Sequence, residues 1–352
     1  MENRDFLKLL SEARGISGFE KDLAQNISKE FENYVDDIQT DKMGNLVATK
    51  YPDQEINNPP EIMLAAHMDE IGLMVTKIDD DGFLRFTYVG GVDPRTLLGQ
   101  EVIVHGKKDI AGIIGAKPPH LTDSSERNKA PDNEKLFIDI AHNKNKAKEF
   151  IQIGDVISLK RNFRSLQNNT VSGKSLDDRA GVLMIYQCLK ELSHLKHKIT
   201  LRAVTTVQEE VGVRGAITSS YSINPDIGIA IDVCHADMPG VAKDRVSKMN
   251  EGPAIAIGPH VHPQIHKKLT EIAKELDIDY QLEPSPYPGG TDAWGIQIAR
   301  SGVATGLISI PLRYMHTSVE TLSLNDIKKG GQLLAQFIAR IDDDFVEGLT
   351  CY

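Results

Sequence analysis

The sequence predicts an α/β protein: a mixed sheet flanked by helices, with a small β-barrel inserted into the chain. Short β-branched apolar runs, such as residues 199–207, alternate with amphipathic helical patterns. Several of these runs stop at carboxylates or imidazoles, and open α/β sheets place their chemistry at the carboxyl ends of strands. Between residues 71 and 164 the texture changes to short alternating segments. These are punctuated by Asp79-Asp-Asp-Gly82, Gly90-Gly91 and Gly106-Lys-Lys-Asp109, and no helical pattern alternates with them. At 352 residues the chain is long for one core. The expected organisation is an α/β unit over 1–70 and 165–352 and a β-rich insert over 71–164.

In chain order, residues 4–35 read as helical. Ser17-Gly-Phe-Glu20 fits a capping box, and Leu23, Ile27 and Phe31 follow at helical spacing. Asp41 to Thr49 reads as a turn entering a strand, and Pro52 to Pro60 as a polar loop. Glu61 to Ala66 is an apolar strand ending in His67-Met-Asp69. Positions i and i+2 of a strand share a face, so His67 and Asp69 project together. That arrangement suits a metal-bound imidazole held by a carboxylate, and a structural histidine fits it as well. Pro118 to Lys135 reads as a polar surface loop. His105, His120 and His142 have no partners at ligand spacing and read as solvated or packing residues.

Ser172 to Gly181 leads into an amphipathic helix with Val182, Ile185, Tyr186, Leu189 and Leu192 inward. Ser175-x-x-Asp178 is a second capping box, and Asp177 and Asp178 suit a helix start. His194 and His197 close that helix and are expected to face water. The strand over 199–207 runs into Glu209 and Glu210, and adjacent extended residues point to opposite sides. One Glu can therefore hold a metal while the other faces a substrate. Residues 224–233 form a strand ending in Asp232, followed by Cys234 and His235, which read as a packed thiol and a loop imidazole.

Residues 262–276 read as a helix with Ile265, Leu269, Ile272 and Leu276 inside. His260, His262 and His266 at its start are not expected to be ligands. Pro286 to Ala293 is a glycine-rich turn opening a helix. Its free N–H groups around Gly290, Thr291 and Asp292 can receive a substrate carbonyl or carboxylate. A strand over 302–310 precedes a loop carrying His316, and a helix over 324–341 starts at Ser323 and Asp326.

Net charge is 40 − 50 = −10, which argues against a nucleic-acid or anionic-membrane surface. No apolar run approaches the roughly 20 residues of a spanning helix. The N-terminus lacks the basic and apolar regions of a signal peptide. Cys188, Cys234 and Cys351 are scattered, which predicts a reducing, cytoplasmic setting.

Four strand ends or adjoining loops thus carry His67, Glu209-Glu210, Asp232 and His316, and a helix start carries Asp177-Asp178. Oxygen and imidazole donors without cysteine suit zinc, cobalt or manganese. Two ions need a bridging carboxylate and private ligands for each. His67 with Glu210 or Asp232, the other with His316, and one of Asp177 and Asp178 between them supply that set. Such a pair, roughly 3.5–4 Å apart, ionises a shared water and polarises a carbonyl, and Glu209 is placed to take the proton.

His67-Met-Asp69, Ser175-Leu-Asp-Asp-Arg-Ala-Gly181, Thr206-Val-Gln-Glu-Glu-Val-Gly212, Ala230-Ile-Asp232, Pro288-Gly-Gly-Thr-Asp292 and His316-Thr-Ser-Val-Glu320 together resemble one family. It is the dinuclear metallo-aminopeptidases that include glutamyl and tetrahedral aminopeptidases, whose members often carry the label endoglucanase or cellulase. The resemblance runs over essentially the whole chain, and it implies a zinc-peptidase-like catalytic unit. It also implies His316 and Glu210 on one metal, His67 and Asp232 on the other, and Asp177 as the bridge, with a cis peptide bond to Asp178. Glu209 becomes the general base and Asp69 the residue orienting His67. Two divalent ions per subunit, short peptides with a free N-terminus as substrates, and a homo-oligomer of tetrahedral dodecamer form complete what it implies. The insert is then a source of subunit contacts.

A glycoside hydrolase is the competing reading, and a metal-dependent deacylase on the same scaffold is another. Glycosidases work through paired carboxylates without metals, and they favour aromatic sugar platforms. One Trp and 6% aromatic residues argue against that chemistry. A non-catalytic protein keeping the fold is the third alternative. Lys243, Arg245 and Lys248 are the candidates for a pocket accepting an acidic side chain.

Overall fold

The computed structural model describes residues 1–121, 129–287 and 289–350. Helices α1 (Asn3–Glu12) and α2 (Lys21–Phe31) lead into strands β1 (Asp37–Thr40), β2 (Leu46–Lys50) and β3 (Glu61–His67). Then come β4 (Gly72–Ile78), β5 (Leu84–Val89), β6 (Glu101–His105), β7 (Asp109–Ala116), β8 (Leu136–Asp139), helix α3 (Lys144–Phe150) and β9 (Val156–Leu159). These six strands close a barrel in the order β4-β5-β8-β7-β6-β9. It has its own core, which includes Leu73, Leu84, Val102, Val104, Ile138 and Ile157.

The chain returns through β10 (Arg164–Ser165) and β11 (Thr170–Gly173) to α4 (Leu176–Leu192), β12 (Thr200–Thr206), α5 (Arg214–Ile223) and β13 (Ile227–His235). After β14 (Ala254–Ile257) come α6 (Pro263–Glu275), β15 (Gln281–Pro284) and α7 (Asp292–Gln297). The chain then runs through β16 (Ala304–Arg313), β17 (Glu320–Ser323), α8 (Leu324–Ala339) and α9 (Asp343–Glu347). The main sheet runs β1-β2-β12-β3-β13-β16-β17-β11-β10, with β14 pairing β15 and β16.

Strands β12, β3, β13 and β16 are parallel neighbours. Their register sets Thr206 beside His67 and Ala230 beside Ala65, so three carboxyl ends emerge side by side. Parallel strands are covered on both faces, which explains their continuous apolar runs: all of β13 except His235 is buried. Helix α4 is more enclosed than a one-faced amphipathic pattern implies, since every residue from Leu176 to Leu189 is buried. It packs against α1 and α8, where Gly330 and Gly331 leave room for Met184 and Gln187.

Several local expectations give way to tertiary contacts. The helical stretch over 4–35 breaks at residues 13–20, where Ile16 bridges to Glu70. Neither capping box forms. Ser17 donates to Asp69 (2.6 Å), and Ser175 donates to Glu70. Among its described residues the barrel segment contains one α-helix, α3, where none was expected. His197 is buried, with its ring on the Ile199 carbonyl (2.9 Å), and Leu276 is exposed. Much of the polar loop expected over 118–135 lies outside the described residues.

Candidate active site

The ends of β3, β12 and β13, the start of α4 and the turn before β17 converge on an open cleft of about 450 Å³. His67, Asp177 and Asp232 form one group of potential ligand atoms, all within 4.8 Å of one another. Asp177, Glu210 and His316 form a second. Asp177 belongs to both: its Oδ1 lies 3.2 Å from His67 Nε2, and its Oδ2 lies 3.4 Å from His316 Nε2. Glu210 Oε1 is also 3.4 Å from His316 Nε2. Glu209 belongs to neither group, although its Oε2 is 4.0 Å from His67 Nε2.

Both imidazoles present Nε2 to the cluster because Nδ1 is occupied elsewhere. His67 Nδ1 is 3.3 Å from the Asp69 carbonyl and 3.5 Å from its Oδ1. His316 Nδ1 is 2.8 Å from the Gly91 carbonyl, just beyond β5. Such partners fix which ring nitrogen is free to ligate. Asp69 does more than face His67. Its carboxylate accepts the Glu209 N–H (3.0 Å), the Glu210 N–H (3.2 Å) and the Ser17 hydroxyl, so it shapes the turn that carries both glutamates.

The site's backbone is unusual for its residue types. Ser175, Gln208, Val213, Tyr314 and His316 all have φ near +60°, and the peptide bond between Asp177 and Asp178 is cis. Left-handed φ at non-glycine residues costs about 1–3 kcal/mol and persists only where surroundings enforce it. The two aspartates diverge at this point. Asp177 faces the cluster, while Asp178 Oδ1 accepts the Gly181 N–H (3.0 Å) and so starts the helix proper. The N–H groups of Leu176 and Asp177 are instead accepted by Glu320.

Electrostatically the site is short of positive charge. Burial, with neighbouring carboxylates adding to it, pushes Asp178 and Asp232 well above the ordinary carboxyl range. Glu209 rises to about 10 mainly through burial, with Asp232 and Asp292 adding to it, and Glu210 rises to about 7. Burial opposes a proton on His67, yet hydrogen bonds to Asp177 and Asp69 hold its pKa well above the usual value. The hydrogen bond to Asp177 likewise lifts His316 to about 9. The buried cations Lys174 and Arg179 are occupied by Glu70, whose carboxyl they hold at about 2 against the effect of burial. Buried oxygens without a partner include Asp178 Oδ2, Glu209 Oε1 and Asp292 Oδ1. Two imidazoles among this many carboxylates, with no thiolate, form a donor set that fits divalent cations, and cations there would draw these pKa values down.

Of the turn at the start of α7, Gly290 and Thr291 line the cleft. Asp292 is buried behind it with Oδ2 on the Thr206 hydroxyl (2.5 Å). Pro288 lies outside the described residues. Lys243, Arg245 and Lys248 are exposed and are not among the residues lining the cleft. Sequence reasoning gave no role to Glu320, to Gly91, or to the Glu70–Lys174–Arg179 cluster. Glu320 lies inside the quoted His316 motif, whereas the Gly91 carbonyl carries no side-chain signal.

A parallel-centred sheet that gathers carboxylates and imidazoles at its strand ends, beside a six-stranded barrel, defines the framework of a peptide hydrolase. Residues 44–333 match the model of the M42 glutamyl aminopeptidase family, and the chain belongs to that family. A lysyl aminopeptidase of Pyrococcus furiosus is 36% identical over 335 residues, covering 93% of this chain and 94% of that protein. The structure of the aminopeptidase APDkam598 from the archaeon Desulfurococcus kamchatkensis superposes with a TM-score of 0.92 at 38% identity. It covers 99% of this chain and 97% of the other. The Pyrococcus horikoshii TET1 peptidase, described as able to assemble into a tetrahedron or a large octahedral shell, is 33% identical with a TM-score of 0.85. It covers 97% of this chain and 100% of its own. The protein is thus a peptide hydrolase of the aminopeptidase kind. Among the described residues, no helix is long and apolar enough to cross a membrane.

Proposed function

We propose that the chain removes residues from the free N-termini of short peptides with the help of two divalent metal ions. His67 and Asp232 hold one ion, Glu210 and His316 hold the other, and Asp177 bridges them. Zinc or cobalt suits these donors best and manganese is the third option. The observation that carries this reading is the two-sided placement of Asp177, each of whose oxygens lies within 3.4 Å of a different imidazole. Bound there, the ions supply Lewis acidity for ionising a water and polarising the scissile carbonyl.

Glu209 accepts the proton of the attacking water and passes it to the leaving amine. Its support is that it adjoins both ligand groups, belongs to neither, and has a buried oxygen without a partner. Asp69 orients His67, and Gly290 and Thr291 receive the substrate backbone. Asp292, expected to share that role, is buried behind the cleft and instead braces the turn through Thr206. Among the described residues lining the cleft there is no lysine or arginine, whereas Val213, Val233 and Met315 are present. That lining supports neutral or basic N-terminal residues over acidic ones.

A neighbouring structure described as a dodecamer, and the Pyrococcus horikoshii TET1 peptidase described as forming a tetrahedron or a large octahedral shell, support a tetrahedral dodecamer as the assembly. The insert over 71–164 is the part proposed to supply subunit contacts. The buried free thiols Cys188 and Cys234 support a reducing, cytoplasmic setting. The test is a panel of short peptides with free or acetylated N-termini, with zinc- or cobalt-loaded enzyme and a chelated control. Cleavage confined to free N-termini, abolished by the chelator and weakest for acidic residues, is the expected result. Cleavage of acetylated substrates would replace the reading with a deacylase or endopeptidase on the same site.

A further inference from the structure

Glu320 is buried at the start of β17, and among the described residues its side-chain hydrogen bonds go to backbone N–H groups at and beside the cluster. Its Oε2 accepts the N–H of Leu176 (2.6 Å) and of Asp177 (3.2 Å), and its Oε1 accepts the N–H of His316 (2.9 Å). The segments it joins are 139 positions apart in the chain, from Asp177 to His316 (316 − 177). Each departs from regular backbone where Glu320 grips it: Asp177 has ψ 109° inside α4, and His316 has φ +59°. The strand that carries Glu320 is itself fixed, since Glu320 pairs with Gly173 of β11, directly before the turn leading to Asp177. One carboxylate therefore sets the distance between a shared ligand and a terminal ligand from behind, touching neither side chain.

We propose that Glu320 is a positioning residue that clamps Asp177 and His316 in register and so builds the second cation subsite, that of Asp177, Glu210 and His316. The proposal rests on the two-ion reading given above. The first subsite depends on the clamp only through Asp177, because Glu320 touches neither His67 nor Asp232. Loss of the clamp therefore weakens the two subsites unequally. Residues behind ligands change metal affinity by about 10–100-fold when replaced.

Glu320→Gln is nearly isosteric but keeps one acceptor oxygen, so it can satisfy His316 or the Leu176–Asp177 pair and not both. Glu320→Asp keeps the charge and is one methylene too short to reach both. Metal content per subunit, zinc titration and the visible spectrum of the cobalt-loaded protein would be measured for wild type, both variants and Glu70→Gln. Glu70 is an equally buried carboxylate that does not contact His316. In wild type two ions bind. The expected outcome for Glu320→Gln is one ion retained, the other weakened by about 10–100-fold, and a cobalt spectrum that has lost the contribution of one site.

Folded Glu320→Gln that binds both ions with wild-type affinity overturns the proposal. So does equal weakening of both ions, or the same pattern in Glu70→Gln. If neither Glu320 variant folds, the residue is a general structural support and the proposal also fails. Fewer than two ions in wild type would instead sink the two-ion reading itself.

Discussion

Replacing Glu209 with glutamine swaps a carboxylate for an amide of the same shape that cannot accept a proton. The structure gives reasons to expect a clean effect. Glu209 lies outside both ligand groups, its Oε2 is 4.0 Å from His67 Nε2, and its N–H remains bonded to Asp69 whatever the side chain. No ligand is subtracted, so two ions should still bind. General-base participation contributes about 10²–10⁴-fold. At about 1.36 kcal/mol per decade, that adds about 3–5 kcal/mol to the barrier. Folding should not suffer, because burial already disfavours a charge at this position. The assay is steady-state hydrolysis of a free N-terminal peptide, with metal content and Tm measured in parallel. kcat should fall by about two to four decades with KM nearly unchanged. Activity within about threefold of wild type would refute the general-base assignment. Lost activity accompanied by lost metal would make Glu209 a ligand instead.

Other consequences can be checked on stability. Glu70→Gln leaves Lys174 and Arg179 buried without a counter-charge and should cost about 3–5 kcal/mol by denaturant titration. The Glu70 carboxyl titrates at about 2 in the fold against an ordinary 4.5, so its stabilisation is present above pH 4.5 and is lost as pH falls toward 2. The variant should flatten that acid limb, and an unchanged limb would contradict the assignment. Glu20 behaves oppositely: burial raises it to about 7, so stability present below 4.5 is lost as pH rises through 7. Glu20→Gln should reduce the fall of Tm across that window, and an equal fall would refute the reasoning. At Gly215 an added Cβ would lie 2.4 Å from the Val207 carbonyl, which holds the strand end before Glu209. Gly215→Ala should therefore destabilise by about 1–3 kcal/mol and lower kcat, and a neutral outcome would show that this turn is more pliant than drawn.

The strands that reach the site were legible because two-sided burial writes itself as apolar runs, and each run ended where a ligand candidate stood: His67 as the last residue of β3, Asp232 near the end of β13. The barrel was legible from its changed texture. What escaped was set by partners distant in the chain. Ser17 and Ser175 carry good local capping patterns, yet Asp69 and Glu70 claim their hydroxyls. Asp177 and Asp178 are chemically equivalent in sequence, and only the turn of the backbone sends one to the cluster and the other to Gly181. Val213 is a poor residue for left-handed φ, so nothing local forecasts its conformation. Strands β14 and β15 are four residues each, too short for periodicity to register.

The contact between the Gly91 carbonyl and His316 Nδ1 means that the barrel has a voice at the reaction centre through one peptide group. No side chain of the barrel is involved, so substitution at position 91 tunes the contact only by moving the backbone. The room for that is small, since a Cβ on Gly91 would lie 2.8 Å from the imidazole. The β5–β6 loop is therefore under two demands at once, one from the barrel it closes and one from an imidazole it never joins covalently. Sequence change in the barrel meets a fixed limit at this junction. A chimera carrying a related barrel on this sheet would succeed or fail on how accurately it returns that one oxygen to its place.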